Sequence, residues 1–116
     1  MHALIIEDEA IIAMAIEDAL RDCGFTSFSF ATTVETAVAA ANSRCPDLIT
    51  ADVQLAPGSG IEAIESICLD KPIPVVFITS AGSEVREKFT DPVLVAKPFA
   101  SADVVEAARM ARSRLR

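Results

Sequence analysis

The chain has 116 residues, 52% of them hydrophobic, and a formal net charge of −7. That is enough for one domain with a true core, too little for two, and too apolar for a disordered segment. The negative balance argues against direct binding of nucleic acid, because phosphate contacts need a basic face.

Ala3-Leu4-Ile5-Ile6 forms an apolar strand that Glu7, Asp8 and Glu9 stop at once, too soon for a signal peptide or a membrane span. His2 stands alone beside the terminus and is assigned no chemistry. Ile12, Ile16, Ala19, Leu20 and Cys23 recur at helical spacing, and Gly24 ends that helix. Ser27-Phe28-Ser29-Phe30 alternates as a short second strand. A helix from about Val34 to Arg44 cannot continue past Pro46. Asp47 to Ala51 is the third strand, and Pro57-Gly58-Ser59-Gly60 is loop punctuation. Ile61, Ile64, Ile67 and Cys68 mark a third helix, and Lys71-Pro72-Ile73-Pro74 leads into the strand Pro74-Val75-Val76-Phe77-Ile78.

Between Thr79 and Lys97 a loop, a helix, a second loop and the strand Val93-Leu94-Val95 must all fit. Gly82 to Phe89 is the one helical candidate, about two turns or roughly 12 Å. A helix so short is marginal alone, so this fourth helix is expected to be short or mobile. The last helix runs from about Ser101, its expected N-cap, to Arg114, with Val104, Val105, Ala108 and Ala111 inward. Arg109, Arg112, Arg114 and Arg116 gather at its end. They suit the last turns of a helix, and a patch for an acidic partner is the alternative. Cys23, Cys45 and Cys68 are far apart, with no Cys-x-x-Cys pair, which fits small core residues in a reducing cytoplasm.

Strands that alternate with helices, and that are apolar almost throughout, imply a parallel sheet covered on both faces. In such a sheet the residues just past neighbouring strand ends converge on one crevice. Here these are Glu7 and Asp8, Asp52, Thr79 and Lys97. Alone, each has a plainer reading: Glu7-Asp8-Glu9 as acids at a helix N-terminus, Asp52 as a cap, Thr79 as a strand end, Lys97 as a solvated charge. Together they suit a divalent cation and a phosphoryl group. Mg²⁺ prefers oxygen ligands, a carboxylate can attack phosphorus, and an ammonium clamps the transferred charge.

The whole chain resembles the receiver domain of two-component response regulators, with Leu4-Ile5-Ile6-Glu7-Asp8-Glu9 similar to the family's first-strand acidic motif and Lys97-Pro98-Phe99 to its Lys-Pro-Phe run. The resemblance implies a flavodoxin-like doubly wound sheet of five parallel strands in the order 2-1-3-4-5, the order known for the chemotaxis response regulator. It implies that Asp8 binds Mg²⁺ directly and Glu7 through water, that Asp52 is both phosphoacceptor and metal ligand, and that the Gln54 carbonyl is a further ligand. Thr79 becomes the switch hydroxyl, with small Ser80 beside it, and the Lys97-Pro98 bond is expected to be cis. One departure stands out. Many receivers carry an aromatic switch residue two places before the lysine, where this chain has Val95. Phe77, Phe89 and Phe99 lie nearby and read as core. The stretch Ala51 to Ile61 also looks like an alphaproteobacterial receiver subgroup tied to general stress signalling.

Other classes fit less well. A flavodoxin-like cofactor binder needs a Ser/Thr/Gly-rich phosphate cradle after the first strand, where this chain has Glu-Asp-Glu. A Mg²⁺-dependent phosphatase with an aspartate nucleophile, of the kind that resembles the dehalogenase superfamily, needs Asp-x-Asp there and a substrate cap. The full polar set argues against the alternative of a receiver that is only an unphosphorylated binding module. The expectation is one receiver domain over residues 1–116, non-enzymatic apart from its own phosphotransfer and autodephosphorylation, cytoplasmic and free of membrane. A sensor histidine kinase or histidine phosphotransferase would supply the phosphoryl group. With no length left for a DNA-binding output domain, output is expected through a downstream protein target, a relay step, a phosphate sink or a phosphorylation-dependent dimer.

Overall fold

The computed structural model describes residues 1–55, 57–67 and 72–114. Ten elements alternate along the chain: β1 (His2–Ile6), α1 (Ala10–Asp22), β2 (Ser27–Ala31), α2 (Val34–Ser43), β3 (Leu48–Ala51), α3 (Gly60–Ile67), β4 (Val75–Thr79), α4 (Gly82–Lys88), β5 (Val93–Ala96) and α5 (Ser101–Ser113). All strand pairs are parallel, in the order β2-β1-β3-β4-β5. This is the flavodoxin-like order expected.

Strand side chains alternate between faces, and here both faces are covered. Ala3, Ile5, Leu48, Val76, Ile78, Val93 and Val95 meet α1 and α5 through Ile16, Leu20, Val104 and Ala108. Leu4, Ile6, Ile49, Ala51 and Phe77 meet the other three helices through Ala37, Ile61, Ile64 and Val85. Each fully buried aliphatic side chain contributes about 1.5–3 kcal/mol, so the two layers hold the sheet while its carboxyl-end rim stays free for polar residues. Phe77 packs on Phe89 with ring centroids 5.3 Å apart, and Phe99 packs partly against the α1/α5 layer. Core packing is thus the observed role of all three rings.

The local signals hold with small corrections. Gly24 follows α1 with φ +95°, a left-handed stop. α4 is short, seven residues with Val85 its one buried side chain. Asp47 lies outside β3, because its carboxylate accepts the His2 N–H at 2.7 Å instead of continuing the strand. The cap of α5 is Ala100, not Ser101; the Asp103 carboxylate accepts the Ala100 N–H at 3.0 Å and so sets the boundary one residue earlier. Val105 is half-buried, and Ala107 takes an inward place beside Ala108. Cys68, Lys71 and Arg116 lie outside the described residues.

His2 needs the largest correction. It is buried, and its ring nitrogens bond Ser27 Oγ at 2.7 Å and Ser29 Oγ at 2.8 Å. The residue stitches β1 to β2 at the amino end of the sheet. Burial first, then Arg44, pushes its imidazole below the usual 6.5.

Candidate functional site

The strand order reverses between β1 and β3, since β1 leads to β2 on one side and β3 leads to β4 on the other. Loops leaving these two strands therefore diverge and open a crevice at their carboxyl ends. Glu7 follows Ile6 and Asp52 follows Ala51, and these two apolar residues are paired across the strands. The Asp52 N–H donates to the Ile6 carbonyl at 3.0 Å, which ties the acids of the two strands to one register.

Glu7 and Asp52 are almost fully buried, at 3% and 4% exposed. Lys97, just past β5, reaches across β4 and donates to Glu7 Oε1 at 2.8 Å and to Asp52 Oδ2 at 2.7 Å. The remaining oxygens are also held. Glu7 Oε2 accepts the Glu9 N–H at 3.2 Å, and Asp52 Oδ1 accepts the Gln54 N–H at 3.1 Å. Asp8 is exposed, yet a carboxylate oxygen from each of Glu7, Asp8 and Asp52 fits within 4.8 Å of the others. Thr79 ends β4, buried; its hydroxyl accepts the Ala81 N–H at 3.0 Å and so keeps its own proton to donate. The Lys97-Pro98 bond is cis, as expected.

Burial raises the Glu7 carboxyl above its usual 4.5, and the Lys97 hydrogen bond only partly opposes this. Burial alone would lower the Lys97 ammonium, but its bonds to Asp52 and Glu7 prevail and raise it above 10.5. Lys97 therefore stays charged at neutral pH, one ammonium beside the acidic side chains of Glu7, Asp8 and Asp52. An all-oxygen donor set with surplus negative charge suits a hard divalent cation. Opposite corners of a Mg²⁺ shell are about 4.2 Å apart, so two direct carboxylates and a third reached through water match this spacing.

The crevice thus gathers Glu7, Asp8, Asp52 and Lys97, with the Gln54 N–H on Asp52 and with Thr79 at the carboxyl end of β4, the strand between β3 and β5. Two contributors escape a sequence reading. A Cβ placed on Gly60 would lie 1.8 Å from the Asp52 carbonyl oxygen, and the Gly60 N–H donates to the Val53 carbonyl at 3.0 Å. The first turn of α3 therefore presses on the backbone of the acidic residue. Beneath Asp52 on the same face of β3, the buried Thr50 hydroxyl has no hydrogen-bond partner among the described residues. The spacing of Gly60 from Asp52 was visible; the contact was not.

A five-stranded doubly wound sheet with acids past β1 and β3 and a lysine past β5 defines the receiver class of signalling domain. Residues 3–109 match the response regulator receiver domain, and the chain belongs to that family. Within it, the chain is 40% identical over 105 residues to the phyllosphere-induced regulator PhyR of Methylorubrum extorquens, covering 87% of this chain and 39% of PhyR. It is 33% identical to the transcriptional regulatory protein PdtaR of Mycobacterium tuberculosis, covering 99% of this chain and 58% of PdtaR. The chain therefore spans less than two thirds of the length of these curated relatives. The solution structure of the PhyR receiver domain of Erythrobacter litoralis superposes with a TM-score of 0.87 at 36% identity, covering 95% of this chain and 88% of that one. The similarity to PhyR proteins agrees with the subgroup resemblance of the Ala51 to Ile61 stretch. Among the described residues no helix is long and apolar enough to cross a membrane.

Proposed function

We propose that Asp52 accepts a phosphoryl group from the phosphohistidine of a sensor histidine kinase or histidine phosphotransferase, and that the domain then signals through a protein contact or passes the group on. A carboxylate oxygen of Asp52 forms a bond to phosphorus as the bond from phosphorus to the donor imidazole breaks, giving an aspartyl phosphate and a free histidine. Little covalent chemistry falls to the protein in such transfers; positioning and charge stabilisation dominate. Lys97 supplies both, since it already holds Asp52 at 2.7 Å and carries the charge that the incoming oxygens require. Glu7 and Asp8, with Asp52 and the Gln54 carbonyl, are the residues that would hold Mg²⁺, which supplies further neutralisation of phosphoryl oxygens when bound. Thr79 offers a hydroxyl hydrogen to a phosphoryl oxygen.

The observation that carries this reading is the Lys97 ammonium bridging two buried carboxylates from different strands in one crevice. Transfer of label from a radiolabelled kinase tests it. Wild type is expected to label and Asp52→Asn to remain unlabelled with its fold intact; equal labelling would remove Asp52 from the role.

The signal is proposed to act through the segment after Thr79. Val95 is buried in the α1/α5-side core and cannot swing as a ring would. Pulling the Thr79 hydroxyl toward phosphate would release the Ala81 N–H it now accepts, at the N-cap of a seven-residue helix. Ordering of a segment by phosphate contacts is an established switching mode. Backbone NMR relaxation with and without beryllofluoride is expected to show a change over residues 80–90. Equal rigidity there, with shifts centred on Val95, would contradict it.

A further inference from the structure

β2 is an outer strand of the sheet and pairs with β1 alone. The Ser27 N–H donates to the Met1 carbonyl at 3.4 Å, and the Ala31 carbonyl accepts the Glu7 N–H at 3.0 Å. Ser27, Ser29 and Ala31 thus turn their backbone groups toward β1. Those of Phe28 and Phe30 point away from the sheet, because the direction alternates along a strand. Among the described residues no loop or side chain hydrogen-bonds these outward groups. Sheet edges are usually blunted by charge, by proline or by a covering element. The sequence of β2, Ser-Phe-Ser-Phe-Ala, has neither charge nor proline.

The side chains of this edge are ordered as well. Phe28 and Phe30 are in register with Ala3 and Ile5, so both rings stand on the α1 side, with centroids 6.5 Å apart. Phe30 is 51% exposed. Arg21 of α1 lies over the Phe28 ring, 4.8 Å from its centroid, and bonds Glu17 one turn earlier at 2.6 Å.

We propose that this edge pairs with the same edge of a second copy, antiparallel, about a twofold axis at Ser29. Phe28 of each copy then lies opposite Phe30 of the other. Residues so opposed exchange both N–H···O bonds, which satisfies every outward group of the two phenylalanines. The rings of both copies meet on the α1 side and cover the exposed Phe30. Charge matches on the same axis. α1 runs antiparallel to β2, and two strand residues, about 6.6 Å, span about four helix residues. Arg21 over Phe28 therefore places Glu17 near Phe30, and the axis brings each Arg21 to Glu17 of the other copy. An extended segment of unrelated sequence could take the backbone bonds, but only a second copy matches the rings and the ion pairs together.

The other charged groups near the edge are Asp18 and Asp22 of α1, Glu35 in the first turn of α2 and Arg44 at its end. Their balance is negative, as is the net charge of −7 on each copy, so long-range repulsion opposes approach. A five-residue strand with its rings also belongs to the class of contacts below about 1,200 Å². The pair is therefore transient and forms at high protein concentration. Because the two strands run in opposite directions, the two Asp52 crevices lie at opposite ends of the joined sheet and both stay open. The contact does not depend on phosphorylation of Asp52, so the unphosphorylated chain is the reagent for its test.

Sedimentation velocity and ¹⁵N-resolved spectra over a concentration series up to millimolar protein are the measurements. The sedimentation coefficient is expected to rise with concentration, with shifts and slowed hydrogen exchange at the Phe28 and Phe30 amides. Phe30→Lys changes an exposed side chain and should keep the fold while weakening association at least tenfold. Glu17→Arg and Arg21→Glu, each alone, should self-associate about tenfold more weakly, because the cross-axis attractions become repulsions. An equal mixture of these two variants should associate again, since every Arg then faces a Glu. The proposal is overturned by constant sedimentation up to millimolar protein, or by concentration-dependent shifts centred on β5 or another surface. Undiminished association of Phe30→Lys, or a mixture no stronger than the separate charge variants, overturns it too.

Discussion

Replacing Gly60 by alanine should disable the site without touching a polar group. The added Cβ would stand 1.8 Å from the Asp52 carbonyl oxygen and 2.7 Å from its carbon, where ordinary contact begins near 3.4 Å. Both atoms are backbone, so no side chain can rotate away, and about 1.6 Å of separation must come from moving α3 or Asp52. Half of that displacement, taken along the bond, would stretch the 2.7 Å contact between Lys97 and Asp52 to about 3.5 Å, the outer limit of hydrogen bonding. Overpacking of this kind costs about 1–3 kcal/mol, and a backbone clash belongs at the upper end. For a domain of this size that corresponds to a fall in Tm of roughly 10 °C or more. A misplacement near 1 Å in a reacting group costs about 100-fold in rate. Thermal unfolding by circular dichroism and the rate of kinase-to-domain transfer are the two assays. Gly82→Ala is the control, because its Cβ would meet nothing nearer than the flexible Arg86 Nη1 at 3.4 Å, and its effect should stay within about 0.5 kcal/mol. A Gly60→Ala protein with wild-type Tm and transfer rate would refute the reasoning.

Other perturbations follow from the same geometry. Thr50→Val removes a buried hydroxyl with no partner among the described residues and should stabilise the domain by about 1 kcal/mol in urea unfolding; a loss of that size would mean the hydroxyl is satisfied. Burial raises the Glu7 carboxyl, so its protonated form favours the folded state, a contribution full below 4.5 and lost as pH rises through the raised value. Mg²⁺ should therefore raise Tm more near pH 8 than near pH 5, with a gain of about 2.7 kcal/mol at 100 times its Kd, and Asp8→Ala should remove most of it. The His2 imidazole is lowered by burial and by Arg44, so its contribution to stability is full above 6.5 and drains as pH falls through the lowered value. His2→Gln should flatten that limb of the stability profile, and an unchanged limb would locate the titration elsewhere.

What could be read from the chain and what could not divide along one physical line. Glu7, Asp8, Asp52, Thr79 and Lys97 were visible because an apolar run stops at each of them, and a parallel sheet brings such ends together. The strand order came with the family resemblance, since periodicity alone does not say which strands are neighbours. The misses all depend on contacts between distant segments. His2 looked solitary until the register set it beside Ser27 and Ser29. Gly60 read as punctuation because its need to lack a side chain arises only from the Asp52 carbonyl pressed against it. Thr50 passed as an ordinary strand residue because nothing local shows that its hydroxyl is left without a partner among the described residues. Ser101 and Ala100 differ by one position, and the choice rests on where the Asp103 carboxylate finds a free N–H.

The most direct measurement is chemical capture of the phosphorylated residue. After transfer from a phosphorylated kinase in the presence of Mg²⁺, borohydride reduces an aspartyl phosphate to homoserine, and tandem mass spectrometry reads the position. The account predicts homoserine at position 52, and its loss in Lys97→Ala under conditions where the variant is folded. Homoserine at any other aspartate, or labelling that survives reduction because it sits on a hydroxyl, would contradict it.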